Sequence, residues 1–314
     1  MTPPAPTSSD YRASRFAIWS ALAVVYLVWG STYLAIRFAV ETTPPFLSAA
    51  GRFIISGACL YGWRRLAGDP TPTQTEWRNA AIVGIFLLVG GNGGVVWAAQ
   101  FIPSSLSALL VATVPLWMVI MDALRPGGER PHLKSTTGIL IGFCGAALLI
   151  GWTAGVGTTM NLLGAAAVVL AAVFWAIGSL YGRTAPLPAS PLLATGMEML
   201  SGGIAQIFVA TALDEWSSFD PALVSRRSAF ALVYLTVIGS CAFVAYAWLL
   251  RVVPTPLVAV LLGYFLADEP MSGRTLFAAG LIIGSVALVS SEKRRPPAPA
   301  DRPVKGFAFT SKSP

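Results

Sequence analysis

Two ionisable side chains, Arg52 and Glu198, stand inside long apolar runs of this 314-residue sequence. An ionisable group in such a setting is costly and is a functional candidate by default. Each is a candidate gate or proton-coupling residue, and Glu198 could instead take a cationic group of a solute. The alternative is structural: Arg52 capping backbone carbonyls or reaching outward along its own stem, and Glu198 sharing a hydrogen bond with a neighbouring Ser or Trp. A third polar feature is the stretch Gly90-Gly-Asn-Gly-Gly94, followed by Trp97 and Gln100. Its glycines suit either a kinked helix beside a cavity or close helix packing, while Asn92 needs a partner that a cavity would supply. Trp29, Tyr33, Trp97, Trp117, Trp175, Tyr181, Tyr246 and Trp248 fall near segment centres. Aromatic walls with a few polar groups suit a flat or amphipathic organic molecule, and cation–π attraction extends the range to amines. The candidate cavity residues are therefore Trp29, Tyr33, Asn92, Trp97, Gln100, Trp175, Tyr181, Glu198, Tyr246 and Trp248.

Enzymatic chemistry finds little to work with here. The one histidine, His132, lies in a polar loop, and no Gly-x-Ser-x-Gly or nucleophile–base pairing is visible. Cys59, Cys144 and Cys241 each fall in an apolar run, an odd set that argues against a disulfide framework and is expected as buried free thiols. No metal or cofactor is called for, and without a glycine-rich phosphate loop ATP is not the expected energy source.

The elements that position these residues follow from hydropathy. Hydrophobic residues make up 55% of the chain and charged residues 11%, against about 25% charged in soluble domains. Lipid must solvate most of such a surface. The 21 Lys and Arg against 14 Asp and Glu form no basic stripe or basic-aromatic patch, so nucleic acid is excluded as a partner. Ten apolar segments are read, at 16–36, 46–66, 79–101, 104–124, 136–153, 161–181, 192–213, 229–250, 256–267 and 275–291, between polar tails at 1–15 and 292–314. Most reach the ~20 residues a helix needs to cross ~30 Å of hydrocarbon, and helices are the form that bonds its own backbone in lipid. With the N-terminus cytoplasmic, 16 Lys and Arg fall inside and three, Arg226, Arg227 and Arg274, outside. This bias predicts a multi-pass inner-membrane protein with both termini cytoplasmic.

The chain also repeats itself. Pro45 leads to Arg52 and Gly57 at the spacing by which Pro191 leads to Glu198 and Gly203. Trp29-Gly-Ser-Thr-Tyr33 is answered by Trp175-Ala-Ile-Gly-Ser-Leu-Tyr181, the Pro103 linker by the Pro254 linker, and Glu129 by Glu269. Trp97 and Trp248 each stand six residues before their proline. Five crossings, an odd number, separate the halves, which places them upside down relative to each other, the design that supports alternating access. The copies differ in one place. Pro103 to Glu129 spans 26 residues but Pro254 to Glu269 spans 15, which leaves segment nine about eleven residues short.

These motifs resemble the EamA-type members of the drug/metabolite transporter superfamily. The likeness rests on Trp29-Gly-Ser-Thr-Tyr33, Arg52, Ile102-Pro103-Ser, Pro254, Ala259-Val-Leu-Leu-Gly263 and Glu269, and covers roughly residues 16–291. It implies an all-α polytopic fold of ten transmembrane helices in two inverted five-helix repeats, here 16–153 and 161–291, and export of amino acids or other small metabolites. The chain departs from the family after Pro256-Leu-Val-Ala259, where members continue with a polar-aromatic stretch absent here. The expected partners are a small-molecule solute, the lipid bilayer and a coupling proton, for a chain working as a monomer. The alternative is a membrane scaffold or sensor, or a transporter disabled by its short ninth segment.

Overall fold

The computed structural model describes residues 15–125, 131–154, 162–252 and 273–290. All regular structure within them is helical. Helix α1 (Arg15–Ala39) is followed by α2 (Pro45–Leu66), α3 (Gln74–Ala98), α4 (Ser104–Leu124), α5 (Leu133–Ala154), α6 (Leu162–Thr184) and α7 (Pro191–Ala212). Helix α8 runs through Arg226–Tyr234, Leu235–Gly239 and Ser240–Val252, and α9 (Gly273–Ser290) corresponds to apolar segment ten. Segment nine, 256–267, lies outside the described residues. Six of the described helices are long and apolar enough to cross a membrane.

The ends of these helices follow local chemistry. Pro45 and Pro191 sit in the first turns of α2 and α7, where the missing N–H is harmless. Helix α3 starts five residues before the apolar run because Thr73 and Glu76 form a reciprocal capping box, with Glu76 N–H donating to Thr73 Oγ1 and Thr73 N–H to Glu76. Two helices change pitch within their apolar spans. Ile85–Gly93 in α3 and Leu235–Gly239 in α8 are π-helical, a local widening that recurs at functional sites. Helix α4 instead breaks at Ala112–Thr113, just before Pro115.

Small residues set the central crossing. A Cβ on Gly57 would stand 2.7 Å from the backbone N of Leu200 and 2.9 Å from the carbonyl of Gly196. A Cβ on Gly203 would stand 3.0 Å from the N of Ile54 and 3.2 Å from the carbonyl of Ala50. The partners pair 57 with 196 and 203 with 50, so α2 and α7 run antiparallel. The partners are exchanged at one offset: Gly57 and Gly203, Ala50 and Gly196, and Ile54 and Leu200 each lie 146 residues apart. Close backbone approach of this sort replaces the hydrophobic drive that helices lack in lipid.

Each π segment is also tied to this central pair. Gln206 of α7 donates its Nε2–H to the carbonyl of Leu88 at 2.6 Å, and Ser56 of α2 donates its hydroxyl to the carbonyl of Thr236 at 2.7 Å. The expected burial of the thiols is corrected: Cys59, Cys144 and Cys241 are exposed on the outer helix faces. A thiol is small and only weakly polar, so lipid-facing positions accept it.

Candidate functional site

Helices α1, α2, α3, α4, α6 and α8 line a cavity of about 90 Å³. Trp29, Thr32 and Tyr33 reach it from α1, Arg52 and Phe53 from α2, Gly91 and Asn92 from the π segment of α3, and Trp175 from α6. Phe243 and Gly239 line it from α8, and Ala112 and Pro115 from the break in α4. Among the described residues, the cavity thus meets the π segments of α3 and α8 and the break in α4.

Its wall is aromatic. Trp29 and Trp175, which occupy equivalent places in the two halves at the same 146-residue offset, meet edge to face with centroids 5.3 Å apart at 88°. Such a pair contributes roughly 0.5–1.5 kcal/mol beyond area burial. Tyr246 packs behind it, 4.9 Å from the Trp29 ring. Trp175 Nε1–H donates to the Tyr246 hydroxyl at 3.1 Å, and that hydroxyl shares a 2.7 Å hydrogen bond with Ser179. The indole plane is therefore fixed from the rear.

The polar end is built from Arg52 and Asn92. The guanidinium donates to Asn92 Oδ1 at 2.5 Å and lies 4.4 Å from the Phe53 ring centroid. Arg52 is buried, and its Nε–H finds no acceptor among the described residues. The glycines around Asn92 serve packing. A Cβ on Gly90 or Gly91 would overlap Phe174 or Trp175, at 2.5 and 2.6 Å. Gly90 and Gly91 thus pack against α6, and Gly91 and Asn92 line the cavity.

The other residues singled out from the sequence lie elsewhere. Glu198 and Tyr246 line a smaller pocket with Val83, Leu87 and Gly178, of about 20 Å³. Glu198 is buried where α7 meets α3, and its carbonyl would be 2.3 Å from a Cβ on Gly84. Trp97 and Gln100 line a third space near the α1–α2 loop, with Glu41, Thr43 and Glu215. Tyr181 donates its hydroxyl to Asn79 Oδ1 at 2.8 Å, away from all three spaces. Trp248 packs against the Leu22, Val25 and Leu249 cluster between α1 and α8.

Several contributors had no individual signal. Phe53 and Phe243 both line the cavity and pack 6.4 Å apart, yet in sequence they are ordinary apolar residues. Pro115 follows the break in α4 and lines the cavity, a placement that only the packing of its helix decides. Among the described residues no group of three or more His, Cys, Asp or Glu could hold a metal ion.

Comparison with known proteins agrees with this architecture. Residues 16–151 and 162–291 each match the EamA-like transporter family, and the chain belongs to that family. An uncharacterised inner membrane transporter of Escherichia coli strain K12, YedA, is 35% identical over 91% of this chain and 95% of its own length. Protein PecM of Dickeya dadantii is 26% identical over 86% of this chain and 93% of its own. An uncharacterised transporter of Bacillus subtilis, YvbV, is 22% identical over 87% and 91%. A solved crystal structure shares the fold at a TM-score of 0.59, with 22% identity, over 88% of this chain and 98% of that one. The chain is a polytopic membrane transporter.

Proposed function

We propose that this protein carries a small organic solute, an amino acid or related metabolite, through the cavity between α1, α2, α3, α4, α6 and α8, by alternating access of two inverted five-helix repeats. The observation that carries the reading is the placement of the cavity beside the antiparallel α2–α7 crossing. There the equivalent tryptophans Trp29 and Trp175 meet, and the equivalent glycines Gly57 and Gly203 make reciprocal contacts. A site at the junction of two oppositely oriented halves is the one place that both can open and close around. The π segments in α3 and α8, each tied to the central pair, give the moving helices a point of altered pitch.

The membrane is read as the inner membrane, with both termini cytoplasmic, from the Lys and Arg bias and from the name of the Escherichia coli relative. Glu198 is the coupling candidate. It lies at the place in α7 that Arg52 holds in α2, and it shares a pocket with Tyr246, whose hydroxyl holds Trp175 of the cavity wall. A proton bound at Glu198 would thereby sit in the pocket behind the wall that Tyr246 braces.

Purified protein in liposomes, preloaded with one unlabelled solute at a time and offered labelled amino acids and amines, tests the transport reading. Counterflow of at least one solute is expected. Absence of flux for the whole panel would overturn it in favour of a scaffold or a chain disabled by its short ninth segment.

A further inference from the structure

We infer that the solute carries an oxyanion, in the simplest case a carboxylate, received by Arg52, while a flat apolar body lies against the Trp29–Trp175 wall. This rests on the transport reading above and supplies the chemistry of its cargo. Arg52 is only 6% exposed, and what surrounds its charge is neutral: the Asn92 amide oxygen on one side and the Phe53 ring on the other. Its Nε–H is buried with no acceptor among the described residues. The ion pairs seen among those residues, Arg64–Asp69, Arg125–Asp122 and Arg227–Glu41, do not include it. No Asp or Glu is among the described residues that line the cavity.

A buried charge without an opposite partner is expensive to hold. A guanidinium presents a planar edge of N–H donors that matches the two oxygens of a carboxylate. Asn92 holds the group in place without neutralising it, so the charge stays available to whatever enters. A solute whose only charge is an ammonium fits poorly, because it would stand beside Arg52 with no carboxylate to receive it. Glu198, the residue first considered for that task, opens onto a different pocket. A zwitterion fits, with its carboxylate on Arg52 and its ammonium against an indole face.

Three matched probes separate these cases: 3-phenylpropionate, the uncharged 3-phenylpropanamide and the cationic 3-phenylpropylamine. Binding to purified full-length protein in nanodiscs is read from quenching of tryptophan fluorescence. The acid is expected to bind about tenfold to a hundredfold more tightly than the amide, the range spanned by a hydrogen bond to a charged group. Arg52→Gln should erase that preference. Asn92→Asp should erase it too, because it places a carboxylate against the guanidinium while leaving Arg52 intact, which guards against misfolding of the first variant. Equal binding of amide or amine by the native protein overturns the inference. So does an acid preference that survives in both variants, or no binding of any probe up to millimolar concentration. Flux in liposomes without acid preference would sink this inference alone. Acid preference without flux of any solute would sink the transport reading and leave an anion site.

Discussion

Arg52 and Glu198 hold the same place in their respective halves, seven residues after a proline and five before a glycine, yet the fold gives them different surroundings. Arg52 opens onto the aromatic-walled cavity, with a donor unanswered among the described residues. Glu198 is pressed into the seam where α7 meets α3 at Gly84 and faces a small pocket behind the aromatic wall. The backbone around them is far more alike: Gly57 and Gly203 make the same contacts with exchanged partners. Duplicated helices can keep a common crossing while their chemistry diverges, because the crossing depends on the absence of side chains and the site on their presence.

The largest effect should come from breaking the shared part. Gly57→Leu and Gly203→Leu each force a side chain into backbone at about 3 Å. Overpacking typically costs about 1–3 kcal/mol, occasionally more. Both variants should lose monodisperse protein in detergent to a similar degree. A large difference between them would mean that the crossing is less symmetrical than its contacts indicate.

The unlike part should separate the two ionisable residues. Glu198→Gln is expected to leave the acid-over-amide preference within about twofold of native, since Glu198 is outside the cavity lining and opens onto a different pocket. It should flatten the dependence of uptake on pH, measured at two pH values in liposomes. Unchanged, still pH-dependent uptake would remove the coupling role.

A middle-sized effect is expected at the helix starts, where the halves use different devices. The N-terminus of α2 is capped from afar: the backbone N–H groups of Phe46 and Leu47 donate to the carboxylate of Glu215 at 3.2 and 2.8 Å. The start of α7 is capped locally by Ser190, whose hydroxyl accepts from Leu193 N–H at 3.4 Å. Removing a cap costs about 0.5–2 kcal/mol, and Glu215 adds a buried charge at the positive end of a helix. Glu215→Ala should therefore lower the melting temperature more than Ser190→Ala, as followed by fluorescence on heating.

The smallest change is at the rear of the wall. Trp175→Phe removes the donor to Tyr246 but keeps most of the ring, and a neutral hydrogen bond is worth about 1 kcal/mol. Probe affinity should fall by less than about tenfold, with the acid preference retained.

Much of the framework could be read along the chain. The starts and ends of the described helices lie within about five residues of the apolar segments, because bilayer thickness and backbone bonding leave little freedom. The exceptions have local causes, such as the capping box that brings forward the start of α3. The Arg52–Glu198 equivalence and the Gly57–Gly203 equivalence were visible as spacing alone. The π segments were not, since Ile85–Gly93 and Leu235–Gly239 read as apolar runs like their neighbours. Nor was the direction in which each cysteine faces, because apolar runs buried against protein and apolar runs facing lipid have the same composition.

By itself the sequence determined that the chain is a membrane protein of EamA type with charged residues at two equivalent depths, because hydropathy and repeat spacing are properties of the chain's order. Only the tertiary structure decided which of those charges meets a cavity. That depends on how α3 and α6 rotate and pack around α2 and α7, and contacts more than a hundred residues apart in sequence, such as Gln206 to Leu88 and Trp175 against Trp29, set that rotation.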